Sequence, residues 1–134
     1  MTHRHIVVAR SFIVVALLGA SLTACSSSDD SGSGSTLTSG DVTGEWAQKD
    51  SDPLVDLELV KDGSVTGSDG CNTMNGTWKI DGSSVDFGAF AATMMACDGV
   101  DTWLSGAASA TVDGDQMTVL DDKGKSIGTL QKQA

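Results

Sequence analysis

The hydrophobic positions change rhythm along this chain. From Phe12 to Ala20 they are continuous, FIVVALLGA. The run falls short of the roughly 20 apolar residues that cross a bilayer, and it has the length of the apolar core of a secretory signal. From Ser26 to Val42 apolar positions nearly vanish. Beyond, they alternate: Val55, Leu57 and Leu59 are separated by Asp56 and Glu58, the period of a strand buried on one face.

The same alternation recurs between turn signals. Asp62-Gly63, Asp81-Gly82, Asp113-Gly114 and Asp122-Lys123-Gly124 punctuate the chain, and Asp-Gly is a strong hairpin signal. Strands are predicted at residues 44–48, 55–59, 64–67, 77–80, 85–87, 110–112, 116–120 and 126–130. The expected fold is therefore mainly β, in the α+β class, with about eight short antiparallel strands forming a curled sheet or barrel. One segment has another period. Val100, Trp103, Leu104 and Ala107 fall on one helical stripe, with Asp98 as a candidate N-cap and Asp101 in the first turn. A helix of about two turns packed on the sheet is expected there, kept short by Gly106. Trp46, Trp78, Trp103, Phe87 and Phe90 are expected to pack in the core rather than line a ligand cleft.

The first 24 residues read as a removable export signal. Arg4 and Arg10 make a basic start, the apolar run follows, and Leu22-Thr23-Ala24-Cys25 ends it. An aliphatic residue, two small residues and a cysteine form the lipobox pattern: small side chains flank the cleaved bond and the thiol carries diacylglycerol. An ordinary signal peptide ending near a cysteine, or a signal anchor, is the alternative. The expected organisation is a lipoprotein signal peptide at 1–24, lipidated Cys25 with a disordered Ser/Gly/Asp tether through 42, and a domain at 43–132. Such a tether cannot bury enough apolar surface to order itself, and as a coil it reaches about 20–25 Å. Two acyl chains anchor stably where one is marginal. The expected location is the exported side of a cell membrane or envelope.

Charge and cysteines narrow the chemistry. Both arginines and both histidines precede Cys25, so the mature chain holds 6 lysines against 18 acids, with no Arg, His or Tyr. Nucleic-acid binding is excluded as an expectation, because phosphate contacts need Lys/Arg patches. Imidazole ligands and the base of a Ser-His-Asp or Cys-His site are absent. No cofactor and no metal site are expected. The chain has three cysteines. Lipidation takes Cys25 and leaves Cys71 and Cys97, a pair expected to form a disulfide in an oxidising compartment. Two free, buried thiols are the alternative.

The most distinctive residues surround that pair. Gly67 to Trp78 reads GSDGCNTMNGTW, and Thr93 to Cys97 reads TMMAC. These segments resemble the two signatures of the META domain family, which includes HslJ-type heat-inducible lipoproteins. Gly70, Cys71, Asn72, Gly76 and Trp78 carry the first signature; Thr93, Met95, Ala96 and Cys97 carry the second. Thr43-Gly44-Glu45-Trp46 and the closing strands resemble the family's ends. Members often carry a longer acidic helix after the Ala-Cys, which Gly99 and Gly106 shorten here. The resemblance implies a role in envelope integrity or stress tolerance and brings no catalytic mechanism. On the residues alone, glycines at 67, 70 and 76 permit unusual backbone or close approach, and Asn72 suits a turn.

The function expected is thus a non-enzymatic, membrane-anchored lipoprotein that supports envelope stress tolerance or binds an envelope protein or ligand. A Ca²⁺- or small-ligand-binding module is the alternative, because acids pair at Asp50/Asp52, Asp113/Asp115 and Asp121/Asp122; none has EF-hand spacing. A hydrolase using Asp69 and Asp98 is the remaining reading.

Overall fold

A computed structural model describes residues 36–134. The expected signal peptide, Cys25 and most of the tether lie outside the described residues. Among the described residues no helix is long and apolar enough to cross a membrane.

Among the described residues, nine strands follow a short helix, α1 (Ser39–Val42). They are β1 (Gly44–Ala47), β2 (Val55–Leu59), β3 (Ser64–Asp69), β4 (Thr73–Asp81), β5 (Ser84–Phe87), β6 (Ala91–Ala92), β7 (Ser109–Asp113), β8 (Gln116–Leu120) and β9 (Ser126–Lys132). All pairings are antiparallel. The order runs β3-β2-β1-β9-β8-β7-β5-β4, and β4 pairs back with β3, so eight strands close a barrel and β6 adds to β4. Closure is possible because β4 is long: its first half pairs with β3 and its second half with β5.

Alternation fills the interior. Trp46, Leu57, Leu59, Val65, Met74, Val85, Met117, Val119 and Leu130 are fully buried. An eight-stranded barrel has an interior just wide enough for such side chains. The turns carry glycines in the left-handed region, Gly63 at φ 90° and Gly114 at φ 59° among them, as the Asp-Gly signals require.

Antiparallel order assigns each connection to one end of the barrel. α1 and the β2–β3, β4–β5 and β7–β8 turns lie at one end. The β1–β2 loop, the β3–β4 turn, the β8–β9 turn and the long 88–108 connection lie at the other. Each end is plugged by an apolar side chain, Val42 from α1 and Leu104 from the connection, both fully buried.

Two expectations are corrected. Residues 39–42 are helical, not part of a coil tether. Thr38 and Asp41 form a capping box, with Asp41 Oδ2 accepting from the Thr38 N–H (2.8 Å) and hydroxyl (2.6 Å). Val42 and Leu37 pack on the core, and the Trp46 indole N–H donates to Val42 O at 2.8 Å. The packed domain thus begins before residue 43. Second, the two-turn helix is a single 3-10 turn, Trp103–Gly106, and Asp98 caps nothing there. Gly99 adopts φ 75°, which stops any helix from starting upstream. The stripe was right about contact: Leu104 is buried, and Trp103 and Ala107 pack against the core.

Candidate functional site

The two distinctive segments meet at the barrel end opposite α1. The first forms the β3–β4 turn. Asp69, at the end of β3, is fully buried. Its Oδ1 accepts the backbone N–H groups of Cys71 (2.9 Å) and Asn72 (2.6 Å), and its Oδ2 accepts from Asn72 Nδ2 at 3.3 Å. The Asp69 N–H closes the turn by donating to Asn72 O at 3.1 Å. Gly70 turns the chain at φ 93°; a side chain there would sit 3.2 Å from Val100 and 3.4 Å from Val55.

The second segment crosses over this turn. Asn72 Oδ1 accepts from the Met95 backbone N–H at 2.7 Å and from the Thr93 hydroxyl at 3.2 Å. Thr93 Oγ1 in turn accepts the Thr73 N–H at 3.1 Å, while the Thr93 N–H donates to Thr73 O at 3.2 Å. The direction of the Asn72 amide follows from its partners: its oxygen faces donors and its nitrogen faces a carboxylate. A Cys71–Cys97 disulfide, with α-carbons 5.9 Å apart, locks the same two segments.

The remaining signature residues shape the frame. A side chain at Gly76 would meet the Phe90 ring at 3.1 Å, and Phe90 packs on Phe87 with centroids 5.6 Å apart. Trp78 is buried, and its indole N–H donates to Val60 O at 2.8 Å. Trp103 covers another glycine. A β-carbon on Gly128 would lie 2.5, 2.6 and 2.7 Å from three consecutive ring atoms, so the ring's face lies on that residue. The Trp103 indole N–H donates to Gln48 Oε1 at 3.0 Å. Trp46, Trp78 and Phe87 are core residues, as expected; Trp103 and Phe90 are partly buried against them.

What the clamp presents outward is apolar. Met94 is 95% exposed and Met95 64% exposed, next to exposed Ala96. Met95 thus enters the clamp through its backbone alone.

The other candidates are dispersed. Asp69 is buried within its turn while Asp98 is exposed, so they differ in environment. Asp121 binds the N–H groups of Lys123 and Lys125, both at 2.9 Å, which holds its carboxyl below the usual range. Asp50 stands at φ 55° in the β1–β2 loop, and Asp113 and Asp115 flank the β7–β8 turn. Among the described residues no three His, Cys, Asp or Glu side chains converge as a metal ion would need. Sequence reasoning missed how Asp69 organises the first signature. The available signal was Asp69 directly before Gly70, since an Asp side chain readily bonds the backbone of its own turn.

The family model for the META domain matches residues 34–134. The chain belongs to the META domain family. No curated protein and no solved structure matches it. The match begins ahead of α1, in accord with the packing of Leu37 and Val42. In this META domain, the two distinctive segments form a clamp of one buried acid, one amide, one hydroxyl and one disulfide.

Proposed function

We propose that this protein is a lipid-anchored lipoprotein on the exported side of the membrane, and that its META barrel serves without catalysis to bind or stabilise another envelope component, supporting envelope stress tolerance. The observation that carries a scaffolding role is that the signature's polar atoms bond one another. Asp69, Asn72 and Thr93 satisfy each other and the local backbone, while the loop they hold exposes Met94 and Met95. A reactive site needs a group with an unmet demand, and this cluster spends its groups on holding a loop.

The lipobox at Cys25 supports anchoring, and the disulfide suits an oxidising compartment. The chain enters the barrel at the α1 end. Anchored there, the domain would turn its clamp and methionines away from the membrane. Expressing the native chain and Cys25→Ala in cells tests this reading. The native chain should fractionate with membranes at its cleaved size, and photo-crosslinkers at position 94 should capture an envelope component. Equal membrane association of Cys25→Ala at the cleaved size would overturn anchoring. Absence of any crosslinked envelope component would overturn docking.

A further inference from the structure

Among the described residues sulfur stands at six positions, and the fold treats it in three ways. Met74 and Met117 are fully buried in the barrel. Cys71 and Cys97 are bonded to each other. Met94 and Met95 stand in solvent, with exposed Ala96 beside them. Oxidation of a sulfur side chain follows its access, so the fold sorts four chemically equal thioethers into two classes.

The exposed pair is held out. Before it, Thr93 is bonded to Thr73 and Asn72. Within it, the Met95 N–H donates to Asn72 Oδ1. After it, Cys97 is tied to Cys71. The bond from Met95 uses its backbone, so an oxygen added to its sulfur leaves that bond in place. At Met74 or Met117 the same oxygen would put a polar group among apolar side chains with no partner. The fold thus shields the methionines whose oxidation would disrupt it and presents the two whose oxidation it tolerates.

We propose that Met94 and Met95 are an oxidation site of this protein: a neutral peroxide converts both to sulfoxides and turns the loop from apolar to polar, while barrel and clamp stay intact. In each transfer the peroxide O–O bond breaks and an S=O bond forms. Sulfur gives up two electrons, the peroxide is reduced, and its second oxygen leaves as water with both protons. Charge favours a neutral oxidant, because residues 36–134 hold 16 acids against 6 lysines and repel anions. The inference goes beyond the docking reading and does not need it. Where the loop docks an envelope component, the added oxygens would replace its apolar contact with a polar one.

The full mature protein in detergent is treated with hydrogen peroxide, quenched at intervals and mapped by tandem mass spectrometry. Met94 and Met95 should gain oxygen roughly tenfold faster than Met74 and Met117. In concentrated urea all four should react alike. After the fast phase, the urea midpoint and amide exchange at Met95 should be unchanged, and retention on a phenyl matrix should shorten. Met94→Leu/Met95→Leu should lose both the fast phase and the shortening. The native chain's own map and retention decide even if that variant fails to fold. Equal rates at all four methionines in the folded protein, or a difference that persists in urea, would overturn the proposal. So would a lower midpoint or faster Met95 exchange after the fast phase, or retention that does not change.

Discussion

Asn72 Oδ1 accepts the backbone N–H of Met95 at 2.7 Å, across 23 residues of chain, and thereby ties the Asp69 turn to the Thr93–Cys97 segment. The same amide reaches back to Asp69 through its nitrogen. One side chain thus couples a tight turn to a long connection. The connection contributes Leu104 as the plug of the barrel and Phe90 and Trp103 as covers of Gly76 and Gly128.

Asp69→Ala leaves the N–H groups of Cys71 and Asn72 without their acceptor in a half-buried turn. A donor left unmet away from water costs about 1–3 kcal/mol. The urea midpoint should fall accordingly, with the slope unchanged. An unaltered midpoint would show that the turn forms without its acid.

Reduction of Cys71–Cys97 releases a loop of 26 residues. On the chain-entropy model the loss is about 3.5 kcal/mol. Denaturant unfolding with and without reductant, or of the Cys71→Ser/Cys97→Ser double variant, measures it. A loss well under 1 kcal/mol would mean that the hydrogen bonds alone hold the segments.

Gly128→Ala places a methyl against the face of Trp103. The ring must lift, breaking its bond to Gln48, at a cost of about 1–3 kcal/mol for such overpacking. Trp103 should become more exposed, so emission should move to longer wavelength while Trp46 and Trp78 stay buried. Unchanged emission would contradict the stacked placement.

Acid should loosen the N-terminal helix. The bonds from Thr38 hold the Asp41 carboxyl below its ordinary value. A depressed carboxyl contributes stability that is complete above the unfolded-state value and is lost as pH falls through the folded one. Amide resonances of Thr38 to Val42 should therefore shift below about pH 4, and Thr38→Ala should move that change to higher pH. Asp56 has the opposite sign. Burial, then the charge of Glu45, raises it, so its ionised form weakens the fold above the folded value. Asp56→Asn should stabilise at neutral pH, and the gain should fade as pH falls through that value.

Local chemistry made much of the barrel legible. Asp62-Gly63 and Asp113-Gly114 placed hairpins correctly because a turn is decided by its own few residues. The Val55-to-Leu59 alternation named the inward face directly. β4 was read short because Asn75 and Gly76 interrupt the pattern, and its first half is held by β3 and Phe90, which are distant in sequence. α1 was overlooked inside a polar stretch, although Thr38 and Asp41 stand at capping-box spacing. The Cys71–Cys97 pairing was legible in the chain, and the two distinctive segments around it do meet. What holds them was not, because the Asn72-to-Met95 bond exists only once the connection has folded back.

The central claim is that the Asp69–Asn72 turn and the Thr93–Cys97 segment form a clamp that positions a loop. Amide exchange of Asn72→Ala tests it most directly. Removal of the amide should speed exchange at Met95 and through the 93–101 loop, while Val85, Val119 and Leu130 in the barrel ladder keep their protection. Exchange at Met95 equal to that of the native chain, or uniform loss of protection across the barrel, would contradict it.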